Sequence, residues 1–241
     1  MAILTIEDIK KAKERISGYI RHTPLWEEER LEEFAGCKLY LKPENLQLTG
    51  AFKIRGALNT ALSLSKDELE KGIITSSSGN HAQACAYVGR MLGIHATVVI
   101  PEDAPKVKIN NAKRMGAEVI LWDRSYAKRW EKVYEEEKLH GYIPIHPYEE
   151  PRVMAGQGTI GLEILEDLPD VQTVVVPIGG GGLISGISTA IKETNPNIRV
   201  IGIQAAASCP YYASRMAGKP TPPPFNGKET LADGISCTAV G

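Results

Sequence analysis

The chain has 241 residues, 43% of them hydrophobic, enough for one large domain or two modest ones with a buried core. Its 28 Lys and Arg nearly balance 29 Asp and Glu, and a net charge of −1 gives no field to gather nucleic acid or anionic lipid. No apolar run approaches the ~20 residues that span a bilayer, and the opening MAILTIEDIKKAKERI has no basic cluster before an apolar core, so neither a transmembrane helix nor a signal peptide is read.

Thr5 with Asp8, then Ile6, Ile9, Ala12 and Ile16 at helical spacing, predict a capped amphipathic helix. KLYLK, Lys38 to Lys42, alternates as a short strand does. GIITSSS, ATVVIP, EVILW, YIPIHP, TVVVPIG and RVIGIQ follow as β-rich runs, and helical stretches such as NHAQACAYVGRML, KVKINNAKRM and LISGISTAIKE separate most of them. That alternation predicts βα units and a mostly parallel sheet. The prolines of YIPIHPYEEP, Tyr142 to Pro151, mark a return from one domain to another, so two sheets are expected. KPTPPPFNGK, Lys219 to Lys228, reads as a Pro-rich surface connector. The chain stops at Thr238-Ala239-Val240-Gly241, just after LADGISC and without a closing helix, so an incomplete large domain is expected. Cys37, Cys85, Cys209 and Cys237 lie far apart with no C-x-x-C pair, which favours a reduced, cytoplasmic setting.

Four consecutive glycines, Gly179 to Gly182, follow the strand TVVVPI and precede the helical LISGISTAIKE. Glycine accepts either sign of φ and lets several N–H groups converge on an anion at a helix N-terminus. The carboxyl end of a buried strand is also where open α/β sheets bind ligands, so a phosphate cup is favoured over a merely flexible turn. No Lys-Ser or Lys-Thr follows, which excludes a P-loop, and Ser185 breaks a strict G-x-G-x-x-G, leaving only a looser spacing to Gly186. Gln204 stands where a dinucleotide site needs an acidic residue, so a compact phosphate ligand is expected.

SSSGNHAQA, Ser76 to Ala84, offers hydroxyls, an amide, an imidazole and first-turn N–H groups suited to a carboxylate or phenolate oxygen. An ordinary serine-rich cap with a satisfied His81 explains it equally well. In TGAFKIRGA, Thr49 to Ala57, Lys53 stands behind Phe52 within Gly50, Ala51, Gly56 and Ala57. Desolvation in such a frame disfavours the ammonium, lowers the pKa and frees the amine as nucleophile or base. Alone, a surface lysine at a helix start explains that stretch better. Together, an activated amine, an anion cup and an oxygen-binding loop are the parts that hold pyridoxal phosphate. The lysine forms a Schiff base with its aldehyde, the glycines take its phosphate, and the ring serves as an electron sink.

At these residues the chain resembles the serine/threonine dehydratase and serine racemase branch of the fold-type II pyridoxal-phosphate enzymes. KPENLQLTGAFKIRGA, SSSGNHAQA, HPYEEPRVMAGQGTIGLEI, PIGGGGLISG and LADGI stand in the family's order. The resemblance implies an α/β fold of two open, mostly parallel twisted sheets flanked by helices, like that of the tryptophan synthase β subunit. It places residues 1–48 and 150–241 in a large cofactor-binding domain and 49–149 in a smaller domain carrying the lysine and the carboxylate loop. It implies that Lys53 binds the cofactor and removes the substrate Cα proton, with Phe52 near the ring. Asn80 would bond the phenolic oxygen, and Gly179, Gly180, Gly181, Gly182 and Leu183 the phosphate. Ser77, Ser78 and His81 would lie in the loop that receives the substrate carboxylate, and Gly234 would approach the cofactor through its backbone. Ala51 replaces a serine common in the family. Gln204 and Ala205 to Ala207 supply no acidic ligand, so no metal site is expected. The family's Ser-Gly-Gly segment, which faces the pyridine nitrogen, lies beyond Gly241.

The implied activity is β-elimination from a hydroxy amino acid, L-threonine giving 2-oxobutanoate and ammonia and L-serine giving pyruvate. The implied partners are a small amino-acid substrate and, in the full-length protein, further copies of the chain, with no nucleic acid and no membrane. Ser78 stands where many dehydratases have Ala and serine racemases have Ser, whose hydroxyl acts from the opposite ring face. Racemase or mixed activity is therefore the alternative, and a non-catalytic phosphate-ligand binder is the alternative from another class.

Overall fold

The computed structural model describes residues 4–221 and 230–237. Helix α1 (Ile6–Ile16) opens with the capping box expected from Thr5 and Asp8, each satisfying the other's backbone N–H. Its buried face is Ile9, Ala12 and Ile16. An antiparallel pair, β1 (Trp26–Glu27) and β2 (Tyr40–Leu41), flanks α2 (Glu29–Ala35), which buries no residue. A 3-10 turn at Glu44–Leu46 leads to α3 (Lys53–Leu62) and α4 (Lys66–Lys71).

Strands and helices then alternate: β3 (Ile73–Ser76), α5 (Asn80–Leu92), β4 (Ala96–Pro101), α6 (Lys106–Arg114), β5 (Glu118–Trp122), α7 (Tyr126–His140) and β6 (Ile143–Pro144). The four strands form one parallel sheet in the order β5-β4-β3-β6. Central β3 and β4 are buried along almost their whole length, as apolar runs are when helices cover both faces. After α8 (Pro151–Asp167), strands β7 (Thr173–Pro177) and β8 (Arg199–Ile203) pair in parallel around α9 (Gly182–Thr194). Helix α10 (Pro210–Ala217) and a 3-10 turn at Asp233–Ile235 complete the described elements. Each β-rich run read from the sequence contains a strand. The proline-rich part of the expected connector, residues 222–228, and Thr238 to Gly241 lie outside the described residues.

Helix α8 joins the two sheet regions. A Cβ on Gly156 would lie 2.5 Å from the Arg55 carbonyl oxygen and 2.6 Å from Gly56 Cα, and one on Gly158 would lie 2.9 Å from the Gly186 carbonyl oxygen. The helix thus touches the backbones of both α3 and α9, which carry Lys53 and the end of the glycine quartet. Ile160 and Ile164 of α8 pack with Ile187 and Ile191 of α9 and with Val174 and Val176 of β7. The opposite face of the β7–β8 pair leaves Val175 and Ile203 about half exposed.

Candidate active site

Lys53 is the first residue of α3. Its Nζ donates to the Pro147 carbonyl oxygen at 2.6 Å and lies 5.2 Å from the Phe52 ring centroid. Among the described residues no carboxylate lies within ion-pair distance of it. Lys53 is half-buried, and desolvation without an anion disfavours the ammonium and brings the pKa down to about 8. Two bases nearby behave alike. Burial, with the Lys53 charge adding to it, lowers His81 to about 3 and His146 to about 4. His81 Nε2 donates to the Ile145 carbonyl oxygen at 3.1 Å, and its buried Nδ1 has no hydrogen-bond partner among the described residues.

The glycine quartet leaves the end of β7 and starts α9. Gly181 has φ +98°, a conformation that favours glycine. Any Cβ on Gly180 would run into the Tyr148 ring, and one on Gly181 into the Tyr211 hydroxyl. At Gly182 it would sit 2.8 Å from the Tyr148 carbonyl oxygen. Tyr211 Oη donates to the Gly180 carbonyl oxygen at 3.0 Å, fixing the loop. No side chain caps α9, so the N–H groups of Gly182, Leu183 and Ile184, which have no acceptor inside the helix, are available to an anion.

These two features share neighbours. Pro147 accepts from Lys53, and the next residue, Tyr148, packs on Gly180 and Gly182. Phe52 and Leu183 pack on one apolar cluster. Cys237 Sγ would be 3.4 Å from a Cβ on Gly179. Gly234 lies in the turn that also touches Gly179. The serine loop approaches from β3. Ser77 Oγ accepts the Gly79 N–H at 3.2 Å, and Ser77 and Ser78 are half-buried. Arg129 braces this end of β3, donating to Ser76 Oγ at 3.3 Å. Asn80 is exposed at the start of α5, whereas His81 turns inward to the core.

Sequence reasoning missed Pro147, Tyr148, Tyr211 and His146. The HPYEEP stretch places Tyr148 and His146 beside prolines after a strand, which hints at a rigid loop, but nothing in it points to the glycines. Tyr211 carries no sequence signal, and Cys237 was weighed only for disulfides. All four cysteines are free.

The residues fit a compact ligand with an electrophilic carbon at one end and an anion at the other. Lys53 offers a nucleophile of lowered pKa. Tyr148 and Tyr211 fill the space that side chains at Gly180 and Gly181 would need, and the uncapped helix start presents N–H groups that have no acceptor inside the helix. In a parallel α/β fold these are the groups of a site for a small ligand that carries an anion and meets a nucleophilic amine. Residues 16–241 match the family described as Pyridoxal-phosphate dependent enzyme, and the chain belongs to it.

The chain is 46% identical over 239 residues to the L-threonine ammonia-lyase of Thermotoga maritima, covering 99% of this chain and 59% of that protein. It is 46% identical over 238 residues to the L-threonine dehydratase catabolic TdcB of Escherichia coli K12, covering 99% and 72%. The serine racemase of Dictyostelium discoideum superposes with a TM-score of 0.92 at 40% identity, over 100% of this chain and 76% of that one. Thus the fold is that of the fold-type II threonine ammonia-lyase and serine racemase branch, and the chain spans about 59% of the Thermotoga relative's length. Among the described residues no helix is long and apolar enough to cross a membrane, and no three His, Cys, Asp or Glu side chains are grouped to hold a metal ion.

Proposed function

We propose that this chain carries the catalytic core of an ammonia-lyase that acts on β-hydroxy amino acids. L-Threonine gives 2-oxobutanoate and ammonia, and L-serine gives pyruvate and ammonia. The observation that carries the reading is the convergence, on the one segment Pro147–Tyr148, of a half-buried lysine with no carboxylate at ion-pair distance among the described residues and a glycine-lined helix start. The relatives named threonine ammonia-lyase and threonine dehydratase support the substrate.

Pyridoxal phosphate, when bound, supplies an aldehyde for an amine and a ring that accepts electron density from the substrate Cα. Lys53 holds the amine that meets it and takes the Cα proton, its lowered pKa keeping much of it neutral near pH 8. Phe52 would flank the ring, Asn80 would bond its phenolic oxygen, and Gly234 would approach through its backbone. Gly179 to Gly182, with the N–H of Leu183, would receive the phosphate. Ser77, Ser78 and the first-turn N–H groups of α5 receive the substrate carboxylate, with His81 bracing that loop from within.

The reading includes a division into residues 1–48 with 150–241 and 49–149. It is supported by the confinement of β3 to β6 to the second of these. It also includes self-association of the full-length protein and a reducing cytoplasmic setting, which the free cysteines fit. The full-length protein as purified should absorb visible light, bleach with borohydride at Lys53, and release 2-oxobutanoate from L-threonine. A colourless protein that takes up no pyridoxal phosphate returns the chain to a phosphate-ligand binder.

Ser78 favours a second reading, racemisation of serine with Lys53 and Ser78 as bases on opposite faces, and the Dictyostelium likeness supports it. Ser78→Ala should then abolish D-serine formation and spare elimination. Persistence of D-serine formation in that variant would rule out this role for the hydroxyl.

A further inference from the structure

The first turn of α3 contains two cations, Lys53 and Arg55, and no acidic residue, and Phe52 at its N-cap makes no side-chain cap. Both features oppose a helix start, because its free N–H groups and positive dipole end favour anions. The fold brings the anions from elsewhere. Arg55 is wholly buried and gives Nε and Nη2 to Glu44 at 2.8 Å each. It gives Nη1 and Nη2 to Glu163 at 2.6 and 3.0 Å, and Nη1 also to Thr159 Oγ1 at 3.1 Å. Glu44 precedes α3 in sequence and Glu163 stands on α8, so the guanidinium ties the turn to two separate elements. Glu163 is held in turn by Lys42 at 2.8 Å, and Thr23 Oγ1 donates to Glu44 at 2.6 Å. Side chains two positions apart point about 200° apart around a helix, so this grip lies on the side of the turn away from the Lys53 amine.

We infer that Arg55 is a positioning residue for Lys53: its fork to Glu44 and Glu163 holds the uncapped first turn of α3 in place and so fixes where the amine stands. This rests on the reading of Lys53 as the reactive amine and adds to it the device that aims it. An ion pair with only a structural role would lower stability without changing the local order of residues 53–57 or the chemistry of Lys53 in the folded state.

The test uses the full-length chain freed of pyridoxal phosphate, with Arg55→Met, Arg55→Lys and the milder Glu44→Gln, which leaves Arg55 paired to Glu163. Trace acetylation of Lys53 at pH 8 is read by mass spectrometry against exposed Lys66, and amide exchange is followed along α3. An amine of pKa 8 is half neutral at that pH and one of 10.5 is roughly 0.3% neutral, so the window is on the order of 100-fold. Arg55→Met should lower Lys53 acetylation at least ~10-fold within that window, and speed exchange at residues 54–57 at least ~10-fold relative to 58–62. Arg55→Lys should recover only part of both, since an ammonium cannot fork to two carboxylates. Wild-type acetylation and exchange in a folded but less stable Arg55→Met would overturn the inference. If the Arg55 variants do not fold, Glu44→Gln decides it by the same two readouts. Should wild-type Lys53 react no faster than Lys66, the reading of Lys53 as the cofactor lysine falls as well; a reactive Lys53 indifferent to these substitutions rejects the positioning role alone.

Discussion

Arg55 is buried with the carboxylates of Glu44 and Glu163 around it, whereas Lys53, two residues earlier in the same turn, has the Pro147 carbonyl and the Phe52 ring but, among the described residues, no carboxylate for its ammonium. The contrast follows from what each group can do with its proton. A guanidinium keeps its charge at any physiological pH, so burying it demands anions and further hydrogen bonds. An amine can lose its proton, so burying it without an anion turns desolvation into nucleophilicity. The pKa values follow: the carboxylates raise Arg55 against the opposing effect of burial, while burial leaves Lys53 at about 8.

The largest effect should come from taking an anion away from the paired cation. Glu163→Ala leaves Arg55 with one carboxylate and removes from Lys42 its shorter ion pair. Breaking a buried pair by removing one partner destabilises by about 3 to 5 kcal/mol. Urea denaturation of the full-length protein should show that loss, and a change under about 1 kcal/mol would mean that solvent reaches these charges.

Next comes the contact that sets the turn against α8. A methyl on residue 156 meets the Arg55 carbonyl oxygen and Gly56 Cα, both backbone, so neither can swing aside. Gly156→Ala should lower stability by about 1 to 3 kcal/mol despite alanine's better helix propensity. A raised melting temperature would show that α3 and α8 are not tightly apposed.

This contact also shows what could and could not be read from the sequence. The strands and the helix starting at Asn80 were legible because period and apolar runs are local. The box of Thr5 and Asp8 was legible for the same reason. Helix α8 has 17 residues but was read only as part of a family block, because Gly156, Gly158 and Gly161 counterfeit a loop. Those glycines answer to Ile9, to residues 55–56 and to residues 186–190, far away in sequence, so only the fold explains them. The site divides likewise. Lys53 and the quartet carry local signals, an apolar frame and a strand-glycine-helix passage. Tyr148 and Tyr211 act by shape against glycines, and Arg55 by partners at positions 44 and 163, which no local pattern records.

A third base sharpens the comparison. His81 is buried with no ion pair to a carboxylate among the described residues, and its pKa falls from 6.5 to about 3. Between those values the unfolded chain holds the proton and the folded chain does not, so stability present above pH 6.5 is lost as pH falls toward 3. At pH 5 the loss from this group is about 2 kcal/mol. Denaturation of wild type and His81→Asn at pH 7.5 and 5 should show a smaller acid loss in the variant. Equal losses in both would mean that His81 becomes charged in the folded protein.

The last effect, about as large as that of His81, has the opposite sign. Lys53→Met removes a cation that burial disfavours, and also removes its hydrogen bond to Pro147. Because the folded pKa of about 8 lies below the ordinary 10.5, the unfolded chain binds more proton between these values. The penalty is therefore full below pH 8 and fades as pH rises through 10.5. The lost hydrogen bond offsets part of the relief by about 1 kcal/mol, leaving the variant roughly 2 kcal/mol more stable at pH 7. The cofactor must be absent from both proteins, since its link to Lys53 would stabilise wild type alone. Melting temperatures across pH 7 to 10.5 should converge from a higher start for Lys53→Met. If the variant is instead less stable at pH 7, the ammonium is well solvated, and the contrast between the two cations of this turn loses its basis.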